Sequence, residues 1–157
     1  MRYDVYVDGS FSTNEPNATY GGFVILINGE AMFRVRIKTK RLEFVSMRNV
    51  GGELIATASA LTRVTALTSV DEKDSIHIYH DYMGIEKFVH GTQKWKANKP
   101  GSNLYVSVFN AMLKEHPEIE VYFHKVKAHT GNVWNEVADG IASGRYSERE
   151  DVQVVEV

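Results

Sequence analysis

Residues 20–39, YGGFVILINGEAMFRVRIKT, carry the clearest fold signal in the chain. Two apolar runs, Tyr20 to Ile27 and Ala31 to Thr39, flank Asn28-Gly29. That dipeptide is the strongest short hairpin signal, because both turn positions need a positive φ that Asn and Gly tolerate. The spacing predicts two antiparallel strands. Upstream, Tyr3, Val5 and Val7 alternate with Asp4, Tyr6 and Asp8, the two-residue period of a strand that Gly9-Ser10 should end. Phe11 to Thr19, rich in Ser, Thr, Asn and Pro, reads as the connecting loop. The chain should therefore open as a three-stranded antiparallel meander.

From Val50 the period lengthens to that of a helix, with Leu54, Ile55, Ala58, Leu61, Thr62, Thr65 and Leu67 on the buried face. Ser75 to His80 reads as a fourth strand ending on Asp81, and Tyr82 to His90 as a short helix. Ser102 to Glu115 reads as another helix, with Leu104, Val108, Ala111 and Met112 inward, and Ile119 to Val126 as a fifth strand. Asn132 suits a helix N-cap. The helix it opens runs from Val133 to Ser143, with Val133, Val137, Ala138 and Ile141 inward and Asn135, Glu136 and Asp139 opposite. This order predicts an α/β fold: a five-stranded mixed sheet, three antiparallel strands then two parallel, with helices on both faces. Right-handed crossovers place the fourth and fifth strands beside the first. Residues 1–146 form one domain, and 147–157 a tail that is either disordered or adds a strand.

Composition sets the outer bounds. The chain has 157 residues, 43% hydrophobic and 24% charged, which suits one globular domain. With no cysteine, a disulfide framework, a zinc ribbon and a thiolate nucleophile are all excluded. No apolar run has membrane length, and no signal-peptide core follows Met1-Arg2-Tyr3-Asp4, so the expected compartment is the cytoplasm. A net charge of −2 gives no global sign of a nucleic-acid partner, which must then rest on local clusters. Arg34, Arg36 and Lys38 share one strand face, either a solvated face or a positive strip for a phosphate backbone. Lys94, Trp95, Lys96 and Lys99 make a basic loop with one aromatic, which either packs on the domain or meets nucleic acid. His77 and His80 read as structural, since no third nitrogen or sulfur ligand is evident.

The chemistry lies in scattered carboxylates. Asp8 and Asp81 end predicted central strands at their carboxyl ends, where sites in open α/β sheets lie. Glu53, placed in the first turn of the helix after Gly51-Gly52, and Asp139 on the last helix can join them. Four like charges packed together stay ionised only if cations compensate them. Oxygen-only ligands point to Mg²⁺ or Mn²⁺ rather than zinc.

Asp8-Gly9-Ser10, Glu53 after Gly51-Gly52, Asp81, and His129-Thr130-Gly131 followed by Asn135-Glu136-Val137-Ala138-Asp139 strongly resemble type 1 ribonucleases H. The resemblance spans about residues 2–145 in motif order and spacing. It implies a ribonuclease H-like fold and a two-metal endonuclease that cuts the RNA strand of an RNA/DNA hybrid, leaving 5′-phosphate and 3′-hydroxyl ends. By position, Asp8 would bridge two Mg²⁺ ions, or Mn²⁺; Glu53 and Asp81 would complete one metal site, and Asp139 would hold the other. His129 is similar to the family's mobile histidine, which assists proton transfer or product release. Ser10, Asn14, Asn49 and the backbone around Gly51-Gly52 match positions that contact ribose 2′-hydroxyls. The hybrid is the expected partner; no protein partner and no membrane contact are expected, and the protein should be a monomer.

The sequence departs from the family in three places. The loop after Asp8 holds Glu15-Pro16-Asn17, Tyr82-Met83 follow Asp81, and the basic protrusion of many bacterial members is shortened to Lys94-Trp95-Lys96 and Lys99. The chain is most similar to the bacterial branch that lacks the full protrusion, and that resemblance implies weak, salt-sensitive substrate binding and a preference for Mn²⁺. Two other readings stay open: a DNA nuclease on the same fold, and a non-catalytic hybrid-binding module.

Overall fold

The computed structural model describes residues 1–67, 73–91, 97, 99–127 and 132–157. In chain order the elements are β1 (Arg2–Ser10), β2 (Thr19–Ile27), β3 (Glu30–Thr39), α1 (Leu42–Val45), α2 (Asn49–Leu67) and β4 (Ser75–His80). They continue with α3 (Gly84–His90), α4 (Pro100–Glu115), β5 (Glu120–Lys125), α5 (Val133–Ser143) and β6 (Gln153–Glu156). Asn28 and Gly29 both take positive φ, 50° and 86°, and close the β2–β3 hairpin as the dipeptide predicts.

The sheet order is β5-β4-β1-β2-β3-β6. The pairs β1–β2 and β2–β3 are antiparallel, while β1–β4 and β4–β5 are parallel. The α/β class and the mixed sheet agree with the sequence reading, but among the described residues there are six strands, not five. The sixth comes from the tail: β6 runs parallel to β3, with Val35 opposite Gln153 and Ile37 opposite Val155. A bare β3 edge would leave a row of N–H and C=O groups unpaired, and the valine-bearing tail satisfies them. β1 also runs two residues past the predicted stop, as Gly9 and Ser10 keep pairing with Gly21 and Tyr20.

The alternation of β1 sorts the core into two layers. Tyr3, Val5 and Val7 pack with Leu54, Leu61 and Val64 of α2 and Tyr105, Phe109 and Met112 of α4. Tyr6 points the other way, into a smaller cluster with Val24, Leu26, Val152 and Ala138 and Ile141 of α5. In α4 the buried line is Tyr105, Phe109 and Met112, whereas the predicted Ala111 is exposed. In α5 Val133 is exposed and Asn135 buried, the reverse of the sequence pattern. Among the described residues no helix is long and apolar enough to cross a membrane.

The short helix α1 was not foreseen, and it matters because α2 is pressed between it and β2. A Cβ on Gly52 would lie 2.1 Å from the Tyr20 carbonyl oxygen, so backbone meets backbone there. Helix propensity alone favours Ala over Gly by about 1 kcal/mol. Overpacking against backbone costs about 1–3 kcal/mol or more and wins. Gly52→Ala should therefore lower stability in urea unfolding, and an unchanged or higher midpoint would show that α2 does not sit this close to β2.

Candidate active site

Tyr6 and Tyr79 form the last pair of the parallel β1–β4 ladder. Asp8 lies two residues further along β1 and Asp81 is the first residue after β4, so both stand near the carboxyl ends of adjacent parallel strands. Glu53 comes from α2, whose first turns lie directly on the end of β1. A Cβ on Gly9 would sit 2.0 Å from the Asn49 carbonyl oxygen and 2.5 Å from the Glu53 nitrogen. Only glycine allows that approach. The result is a cleft of about 460 Å³ lined by Asp8, Asn49, Val50, Glu53, Asp81, Tyr82, Met83 and Lys125.

Because α2 begins at Asn49, Glu53 stands in its second turn rather than the first. Its carboxylate is no exposed dipole partner but a buried group, 5% exposed. The backbone N–H groups of Asp81 and Tyr82 donate to Glu53 Oε1 at 3.2 and 3.3 Å. That turn is braced in its own right. His80 is buried, and its Nδ1 donates to the Tyr82 carbonyl at 2.9 Å. His80 is thus structural, as expected, and so is His77, whose Nδ1 pairs with His124 Nε2 at 2.8 Å.

The electrostatics divide the carboxylates into two kinds. Burial pushes Asp8 up to about 7, with the neighbouring Asp139 and Asp81 adding to the rise and the Gly9 N–H opposing it. Burial pushes Glu53 up to about 8, with the Asp8 charge next and the Tyr82 and Asp81 N–H groups opposing. The outer two have cations of their own. Lys125 Nζ lies 3.9 Å from Asp81 Oδ1, and Arg145 Nη2 donates to Asp139 Oδ2 at 3.1 Å.

Asp8, Glu53 and Asp81 thus share one cleft, and Asp139 reaches Asp8 from α5. Among the described residues, however, no three His, Asp or Glu side chains are set to hold one ion as they stand. Asp81 and Asp139 lean instead towards Lys125 and Arg145, the nearest opposite charges. His129, Thr130, Gly131, Lys94, Trp95 and Lys96 lie outside the described residues. Asn49 lines the cleft, Ser10 ends β1 and Asn14 is exposed in the following loop, while Gly51 and Gly52 are buried.

The Arg34, Arg36 and Lys38 strip is engaged within the fold. Arg36 lies 3.8 Å over the Tyr20 ring, Lys38 pairs with Glu15 at 3.1 Å, and Arg34 lies over Trp134 and 3.7 Å from Asp151. Sequence reasoning missed Lys125 and Arg145. The available signal was position: a basic residue at the carboxyl end of the strand next to Asp81, and another six residues after Asp139.

The family model for RNase H matches residues 1–147. The chain belongs to the ribonuclease H family. A ribonuclease H from Pseudoalteromonas atlantica is 30% identical over 144 residues, covering 88% of this chain and 86% of that protein. The ribonuclease H1 of the halophilic archaeon Halobacterium salinarum shares the fold at a TM-score of 0.69 and 20% identity, covering 94% of this chain and 99% of that one. LC11 ribonuclease H1, isolated from compost and solved with an RNA/DNA hybrid, does so at 0.64 and 16%, covering 91% and 98%. At those identities the two solved structures speak for fold, and the family model and the bacterial relative speak for family.

The raised carboxylates give the cleft a pH signature. Asp8 and Glu53 hold protons in the folded state that the unfolded chain, with ordinary values of 3.8 and 4.5, has already released. Their contribution is fully present below about pH 4 and is lost as pH rises through about 7 to 8. His80, lowered by burial, acts in the opposite sense. The useful quantity is therefore the difference between wild type and Glu53→Gln in thermal melts with chelator present. The variant should gain on wild type from pH 5 to pH 9, and a constant difference would mean that Glu53 is ionised throughout.

Proposed function

We propose that this protein is an endonuclease that hydrolyses the RNA strand of RNA/DNA hybrids by two-metal-ion catalysis, leaving 5′-phosphate and 3′-hydroxyl ends. The observation that carries the reading is the cleft that gathers Asp8, buried Glu53 and Asp81 at the carboxyl ends of adjacent parallel strands, with Asp8 and Glu53 both pushed up towards neutrality. Natural folds seldom keep ionisable groups so destabilised without a use for them. The donor set fits a hard divalent cation. It is all oxygen, it is short of positive charge at its deepest point, and the ribonuclease H family depends on divalent metals in general.

Asp8, the carboxylate common to both sides of the cluster, would be shared between two ions. Glu53 and Asp81 would complete one site and Asp139 the other. Bound there, Mg²⁺ or Mn²⁺ supplies an activated water and stabilises the leaving oxygen. The chain supplies the placement. The two N–H groups on Glu53 Oε1 leave its other oxygen to face a ligand, and the braced Asp81-Tyr82 turn keeps that orientation. His129 would assist proton transfer or product release.

Asn49 on the cleft wall, with Ser10 and Asn14 nearby in sequence order along β1 and its loop, offers donors and acceptors for ribose 2′-hydroxyls. Gly51 and Gly52 serve that reading by setting where the start of α2 sits. We place the protein in the cytoplasm as a monomer.

A labelled RNA/DNA hybrid and a matching DNA duplex, each incubated with Mg²⁺, Mn²⁺ or chelator, test the proposal. The hybrid alone should be cut, only with a divalent ion, and Asp8→Asn should lower kcat by at least about a hundredfold. Cleavage of duplex DNA, or cleavage by Asp8→Asn at the wild-type rate, would overturn it. Hybrid binding without any cleavage would favour a binding module instead. His129→Ala should slow turnover by about 10²-fold while leaving Mn²⁺ affinity unchanged. A loss of Mn²⁺ binding in that variant would make His129 a ligand rather than a proton carrier.

A further inference from the structure

The two outer carboxylates of the site are not alike in how their cations sit. Arg145 makes a hydrogen-bonded pair with Asp139 at 3.1 Å on the outside of α5. Lys125 instead lines the cleft itself, together with Asp8, Glu53 and Asp81. Its Nζ is 3.9 Å from Asp81 Oδ1, beyond hydrogen-bond reach, and its side chain is 48% exposed. The lysine stands at the last position of β5, where His80 is its register partner on β4, so the strand aims it at the mouth of the cleft. Contrast Lys73, whose Nζ is fixed to Glu120 at 2.6 Å. Lys125 is tethered by charge alone and can leave.

We propose that Lys125 has two successive partners: Asp81 while the carboxylates lack a divalent ion, and a phosphate of the nucleic-acid backbone once a divalent ion occupies Asp81. The inference rests on the nuclease reading of the site. In the first state the ammonium lowers the repulsion among carboxylates that share a low-dielectric cleft. In the second, a cation arriving at Asp81 repels the ammonium, which is already exposed at the lip where a polyanion must approach. A lysine suits this better than an arginine, since its single charge sits on a flexible stem and makes no planar bidentate grip on the carboxylate. Here a basic side chain inside the active site does some of the binding otherwise left to a basic protrusion.

The two partnerships predict effects of opposite sign for one substitution. Lys125→Met keeps the length and apolar stem and removes the charge. Mn²⁺, titrated by electron paramagnetic resonance or calorimetry without nucleic acid, should bind about three- to tenfold more tightly to Lys125→Met than to wild type, because one repulsive charge about 4–5 Å away is gone. Hybrid binding, followed by fluorescence anisotropy with saturating Mn²⁺ and a nuclease-resistant analogue of the hybrid, should weaken. The slope of log affinity against log salt should fall by about one, as for the loss of a single phosphate contact. Lys125→Arg should restore the salt slope.

Unchanged Mn²⁺ affinity together with an unchanged salt slope would overturn the proposal. So would weaker Mn²⁺ binding, which would make Lys125 a support for the metal site rather than its competitor. If wild type itself binds neither Mn²⁺ nor hybrid, the nuclease reading fails first. Binding of both by wild type with no change in Lys125→Met sinks this inference alone.

Discussion

A single buried carboxylate oxygen ties the site to the fold. Glu53 Oε1 accepts the N–H groups of Asp81 and Tyr82, and so links the second turn of α2 to the turn leaving β4. Both N–H groups would otherwise be unpaired in a partly buried turn, a cost of about 1–3 kcal/mol each. The link works only because α2 can lie on the end of β1, which the missing side chain of Gly9 permits. Three chain segments far apart in sequence are thereby held with their carboxylates on one cleft wall. The same contact that organises the site makes it electrostatically uncomfortable, since it brings Glu53 beside Asp8 with little water to share the charge.

Much of this was legible beforehand, and the parts that were share a cause. The hairpin at Asn28-Gly29, the alternation of β1, the N-cap at Asn132 and the bounds of α5 all follow from local rules acting over a few residues. The order of Asp8, Glu53, Asp81 and Asp139 was enough to suggest a common site, because strand ends and a crossover helix leave few places for them to go. What escaped was set by contacts at long sequence range. The tail had too few residues to declare itself a strand, and β6 forms because β3 offers it an edge. The inward line of α4 runs through Tyr105, Phe109 and Met112, one residue out of phase with Leu104 and Val108, as the Tyr105 hydroxyl donates to the Ile85 carbonyl of α3.

The basic strip on β3 shows how a charge pattern misleads when partners are unknown. Arg34, Arg36 and Lys38 do fall on one face by the two-residue period, as a nucleic-acid surface would. Yet β6 closes that edge of the sheet, and Tyr20, Trp134, Glu15 and Asp151 take up the three side chains. Guanidinium groups over aromatic rings bury their stems and keep their heads partly wet, so these residues bind the α5 layer to the sheet. The lip of the carboxylate cleft holds positive charge with fewer such partners, in Lys125.

The division between inner and outer carboxylates follows from burial more than from sequence. Asp8 and Glu53 sit where strand end and helix meet, and burial pushes both towards the protonated form. Asp81 and Asp139 stand at the rim, where long basic side chains can reach them at the small cost of an exposed ion pair. At the rim, Arg145 is hydrogen-bonded to Asp139 while Lys125 is held to Asp81 by charge alone.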